Sequence, residues 1–192
     1  ENNIVKRNLF IAIMALSSAT TFAAEMNAGK IHFTGEIIEP SCTIVGDSGT
    51  DSTIPLGTYP TSLFTGPGVE TDLVPLTITL KDCPLKSDGL TNIQLTFTGT
   101  TVLTGSNTLL DVSKITTDGT TAATGVGIAL SPDGAPTTHL KFDGSEEQIY
   151  IPLASNTSDT ISASFNARYI SFKDKVTSGP ADADLTVNIL YR

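Results

Sequence analysis

The sequence predicts an all-β domain, a sandwich or a barrel, and three observations carry that prediction. Short apolar/polar alternations recur along the chain, separated by clusters of Gly, Pro, Asp and Ser. Thr, Val and Ile are abundant while charged residues make up only 16%, a balance that suits half-buried strands better than solvated helices. No amphipathic pattern sustains a helix beyond two turns, and there is no internal repeat. The 192 residues are enough for one ordinary domain.

Residues 1–23 read as a secretory signal peptide. Lys6 and Arg7 form a basic start, residues 9–16 a short apolar core, and residues 17–24 a small, mostly polar end. The apolar run is too short to span a bilayer. Small residues at −3 and −1 place the cut after Ala23, with Thr21 at −3; a cut after Ala24 would put Phe22 there. No later stretch is long and apolar enough for a membrane anchor, so the expectation is an exported chain.

Residues 29–37 alternate strictly. Gly29, Ile31, Phe33, Gly35 and Ile37 point one way, and Lys30, His32, Thr34 and Glu36 the other, which predicts a strand with one apolar face. Extended structure continues through 37–45, with Pro40 marking an edge or a bulge. Residues 46–50 are a predicted turn, 52–59 a short strand and 60–73 a loop rich in Pro and Gly. Strands are predicted at 75–83 and 93–98, more weakly at 108–113 and 125–130, then at 148–153, 160–172 and 184–192, with a turn at 131–134. In 160–172 the residues Ile161, Ala163, Phe165, Ala167 and Tyr169 share a face. In 184–192 the shared face is Leu185, Val187, Ile189 and Tyr191.

Both ends of the exported chain therefore carry apolar strand faces. Terminal segments are ordinarily polar and dispensable. Each large apolar side chain contributes roughly 1.5–3 kcal/mol when buried and invites aggregation when left bare. Something must cover these faces.

Other features narrow the function classes. A net charge of −9 and scattered basic residues argue against nucleic acid as a partner. Cys42 and Cys83, the two cysteines of an exported domain, are expected to pair, and without a C-x-x-C they do not suggest redox chemistry. His32 on a wet strand face and His139 in a loop-like stretch read as solvated rather than as metal ligands. Residues 47–51 lack the twelve-residue pattern of a calcium loop, and Gly125-Val126-Gly127 lacks the third glycine of a nucleotide loop. With no G-x-S-x-G and no Cys–His nucleophile pair, no enzyme, metal or cofactor is expected.

In order and spacing, these features resemble those of a pilin subunit of the chaperone–usher, type 1 fimbrial family. A signal peptide precedes Gly29-Lys30-Ile31-His32-Phe33-Thr34-Gly35-Glu36-Ile37; Cys42 follows in Glu39-Pro40-Ser41-Cys42, and Cys83 in Asp82-Cys83-Pro84. Gly179 stands fourteenth from the C-terminus and Tyr191 next to last. The resemblance implies an incomplete immunoglobulin-like β-sandwich that lacks its C-terminal seventh strand and is completed by a donor strand. Residues 24–36 would be the donor extension and 37–192 the pilin domain. Gly29, Ile31, Phe33 and Gly35 would be the donor positions, with Gly29 matching the family's glycine. Leu185, Val187 and Ile189 would line the acceptor groove, and Gly179, Tyr191 and Arg192 would belong to the groove and chaperone contact. The partners implied are other pilin subunits, a periplasmic chaperone and an outer-membrane usher, with export through the periplasm to a cell-surface fimbrium. The alternative is a single-domain minor pilin or adhesin that binds a host receptor directly, through loops such as 60–73.

Overall fold

Most of the alternating segments become strands of two antiparallel sheets. The computed structural model describes residues 28–112 and 121–192. The signal peptide, the candidate cleavage residues Ala23 and Ala24, residues 24–27 and the end of predicted strand 108–113 lie outside them. The chain divides into two units, Glu1–Ile37 and Ile38–Arg192. The strands are β1 (Thr43–Val45), β2 (Val74–Lys81), β3 (Asn92–Thr98), β4 (Leu110–Asp111), β5 (Val126–Pro132), β6 (Ile149–Pro152), β7 (Ile161–Ser171) and β8 (Thr186–Leu190). One sheet has the order β1-β2-β7-β5-β4 and the other β6-β3-β8.

The sheets pack face to face. Leu80, Leu130, Phe165 and Ala167 from the wider sheet meet Ile93, Leu95, Phe97, Ile149 and Ile151 from the narrower one in a single core. Phe97 and Phe165 sit edge to face, ring centres 5.8 Å apart, one from each sheet. This is the sandwich that the alternation predicts. Pro75 is tolerated inside β2 because β1 pairs only with Thr79–Lys81, so at Pro75 the strand has a ladder on its β7 side alone. The bond joining Cys42 to Cys83 ties the entry of the three-residue β1 to the end of β2.

Three expectations need correction. Residues 28–37 form no strand and are exposed, because a strand needs a ladder and the ladders of the described residues lie between 43 and 190. Residues 52–59 form no strand either: Pro55 withholds a donor, and Gly57 turns the chain at φ 98°. The predicted loop 60–73 is only half a loop. After a 3₁₀ turn at Thr61–Leu63, residues 68–71 run along β7, with Gly68 N–H donating to Ser171 O at 2.7 Å and Thr71 N–H to Tyr169 O at 3.0 Å. Glu70 pairs with Ile170 while Val74 pairs with Ala167, so four residues oppose three and the extension joins β2 through a bulge.

The outward face of β7 carries a feature that the residue pattern conceals. Arg168 points away from the core yet is only 1% exposed. Its guanidinium donates to Ser131 Oγ at 2.9 Å and to Pro136 O at 2.5 Å, contacts His139 Nε2 at 2.8 Å, and lies 3.6 Å from Glu70 Oε1. His139 lies in a loop and is partly exposed, and it also packs on the arginine that fastens the 133–139 connection to the sheet.

Two stability predictions follow from these ties. Arg168→Ala strands Ser131 and the Pro136 carbonyl over a void, and urea unfolding should show a loss on the order of 3 kcal/mol. Replacing Cys42 and Cys83 by Ser frees a loop of sequence separation 41; the same measurement should show a loss of about 4 kcal/mol, and an unchanged midpoint would contradict a stabilising bridge.

Candidate functional site: the open side of the sandwich

Burial is uneven across the core. Along β3, Ile93, Leu95 and Phe97 are completely buried, as is Phe165 on β7. Towards β1, β2 and β8, apart from the fully buried Leu80, the inward side chains are only half-buried: Ile44, Leu76, Ile78, Val187 and Ile189, with Leu185 just ahead of β8. All six still pack against the core cluster, so they face inward without being covered.

The cause is a difference in width. Three strands cannot cover five when neighbours are spaced about 4.8 Å apart. On the β4–β5 side the connection before β6 fills the deficit with Leu140 and Phe142, each 2% exposed, fixed by Leu140 N–H to Leu130 O and Phe142 N–H to Asn107 O. On the β1–β2 side, β8 is the last strand of its sheet and, among the described residues, pairs with β3 alone. Its register runs from Thr186 opposite Thr98 to Leu190 opposite Gln94. The other edge of β8 is therefore a row of backbone donors and acceptors beside a half-covered apolar floor.

The run into β8 is held by close backbone contact. Gly179 sits at φ 153°, and a Cβ there would collide with the Thr121 carbonyl and the backbone of Ala122 and Ala123. That approach lets Ala123 N–H donate to Pro180 O at 2.8 Å and Thr177 N–H to Thr124 O at 3.1 Å. A cleft of about 370 Å³ lies beside this run, lined by Tyr59, Phe64, Tyr169 and residues 176–182. Tyr169 donates to Ala181 O at 2.7 Å and stands edge-on to Tyr59. At the far end of β8, the Cys42 N–H donates to the Tyr191 hydroxyl at 2.9 Å, and Arg192 pairs with Glu146.

The structure thus gathers Leu185, Val187, Ile189 and Tyr191 on one half-covered face and places Gly179 and Arg192 at its two ends. Gly29, Ile31, Phe33 and Gly35 belong to the other unit. Ile31 is 82% exposed and Phe33 88%. Sequence reasoning passed over Tyr169 as a polar contact and Asp111 altogether. Asp111 is 3% exposed, and its carboxylate accepts from Leu103 N–H and Thr104 N–H to hold the turn at 101–105. An Asp after an apolar pair is the one faint signal for it.

Comparison with known proteins decides the family. Residues 31–192 match the sequence model of the fimbrial protein family. The chain belongs to that family. It is similar to the fimbrial-like protein SfmA of Escherichia coli (strain K12), 35% identical over 92% of this chain and 93% of that one. It is also similar to the type 1 fimbrial subunit of Salmonella typhimurium, 33% identical over 95% of this chain and 92% of that one. Among solved structures, the P pilus rod subunit PapA shares the fold with a TM-score of 0.59 at 23% identity, covering 79% of this chain and 99% of that one. The fold is the incomplete immunoglobulin-like sandwich of pilins. The fimbrial chain is a structural subunit rather than an enzyme, and such subunits assemble with one another into surface pili.

The tyrosine beside the cleft of this fimbrial subunit gives a pH prediction. Burial, then the charges of Asp182 and Tyr59, hold the Tyr169 hydroxyl above its ordinary pKa of 10.0. A raised value on an acid favours the neutral form in the fold. The resulting stability is present below pH 10 and is lost as pH rises through the folded-state value. Tyr169→Phe should lower stability at pH 8 by about 1 kcal/mol for the lost hydrogen bond, and should flatten the further loss that urea unfolding detects in the native chain above pH 10.

Proposed function

We propose that this fimbrial subunit polymerises by strand addition at the open side of the sandwich, residues 24–36 of one copy serving as the added strand of the next. The observation that carries the reading is the edge of β8 left unpaired among the described residues, above half-buried Val187, Ile189, Leu76 and Ile78. An extended segment laid there gains main-chain hydrogen bonds from β8 and inserts alternate side chains into the uncovered floor. The segment 29–37 has the required period, and Ile31 and Phe33 are exposed apolar side chains in search of cover.

Before assembly the same edge needs a temporary occupant. A periplasmic chaperone lending a strand along β8 fits an edge whose far end, at Arg192, is exposed. Removal of residues 1–23 on export, passage through the periplasm and transfer at an outer-membrane usher complete the route.

The test is direct. The chain lacking residues 24–36 should remain a disulfide-bonded, chaperone-binding subunit and should form no fibres by electron microscopy. Phe33→Glu should do the same, because a carboxylate in an apolar pocket costs several kcal/mol. Fibres from either variant would sink the donor assignment.

A further inference from the structure

The hydrogen bond between Cys42 and Tyr191 joins residues 149 apart in sequence that adjoin strands of opposite sheets. Cys42 lies one residue before β1, the last strand of the wider sheet. Tyr191 lies one residue after β8, the last strand of the narrower sheet. Tyr191 continues the inward series Val187, Ile189, so its ring points into the gap between the sheets and packs on the core cluster. Facing sheets stand about 10 Å apart. A tyrosine fills much of that distance and still presents a polar tip, a combination that phenylalanine lacks. The far end of the strut is fixed as well, since Cys42 is bonded to Cys83 beyond the end of β2.

We infer that Tyr191 is the positioning residue of the open side. Its hydroxyl ties the two outermost strands together at one end, fixes their separation, and stops an added strand from pairing along β8 beyond Leu190. The inference rests on the strand-addition reading and deepens it by assigning what sets the register. An alternating strand can slip by two residues and keep the same face inward, so alternation alone does not choose among those registers. A closed end does. With the gap bridged at Tyr191, the pairing length on offer is the run Thr186–Leu190, and the strand is measured from that end.

The experiment uses the full chain, its Tyr191→Phe variant and the Phe33→Glu variant. In the unassembled native chain, hydrogen exchange should find the Cys42 amide protected although it lies outside the β1–β2 ladder; free exchange there overturns the inference, whatever the variants do. Tyr191→Phe keeps the ring and removes the acceptor, so Cys42 exchange should quicken about fivefold, the equivalent of one hydrogen bond. Fibres of this variant should release subunits about fivefold faster in denaturant, and the β8 amides should show a mixture of protection patterns in place of one. A purely structural tyrosine would change subunit stability and leave the single β8 pattern intact, and that result overturns the inference. Phe33→Glu separates the two levels. If it abolishes fibres while Tyr191→Phe fibres match the native ones, the strut is wrong and strand addition stands. If Phe33→Glu still assembles, strand addition itself is wrong.

Discussion

Two sheets of unequal width face each other in this protein, and the shortage of strands on one side governs most of what the chain does. A five-stranded sheet presents more inward surface than three strands can cover. The chain meets this shortage in two different ways. On the β4–β5 side it spends a connection, threading Leu140 and Phe142 into the core as if they were part of a strand. On the β1–β2 side it offers no such connection among the described residues, and the inward row stays half-covered. Burial grades from completely closed at Phe165 and Leu95 to partly open at Ile44 and Val187. The gradient is a property of the core itself, independent of any assigned partner.

The fixtures around that open side are stronger than an ordinary sheet edge requires. β1 has only three residues and would fray if it depended on its ladder alone. The Cys42–Cys83 bond anchors its entry, and the Tyr191 hydroxyl occupies the amide just before it. At the opposite end, Gly179 lets the chain press against the backbone of residues 121–123, so that β8 starts from a fixed point. On the far face of the wider sheet, Arg168 fastens the 133–139 connection and the Glu70 segment onto β7. Rigidity on three sides leaves the fourth as the place where the fold can accept something.

The sequence made the strands legible wherever alternation and burial coincide. Residues 93–98 were readable because their apolar side is completely buried, and 160–172 because five alternating apolar residues are centred on the buried Phe165 and Ala167. The stretch 52–59 misleads because Ile54 and Leu56 alternate correctly while Pro55 and Gly57 forbid the ladder. The extension of β2 through residues 68–71 was hidden among Pro and Gly, since a bulge displaces the register by one residue and spoils the period. Arg168 was illegible for a different reason. A charged residue on the outward side of a strand reads as solvated, and only the return of a loop thirty residues away in sequence buries it. The residues of the site, Leu185, Val187, Ile189 and Tyr191, were visible as a pattern. That their side is the uncovered one follows from strand order, a non-local property that no window of sequence contains; the resemblance to pilins had to supply it.

Magnitudes explain why an uncovered row matters to more than assembly. A domain of this size is stable by roughly 5–15 kcal/mol. Burying two side chains such as Ile31 and Phe33 contributes about 3–6 kcal/mol, before any backbone hydrogen bond along β8 is counted. On the proposed reading, the occupant of the open side therefore supplies a substantial fraction of the stability of a domain this size. A weak occupant would leave the half-buried row on β2 and β8 exposed often enough to aggregate. A strand held by backbone pairing and apolar insertion together dissociates slowly, and a fibre built from such contacts holds because each subunit's fold includes a piece of its neighbour.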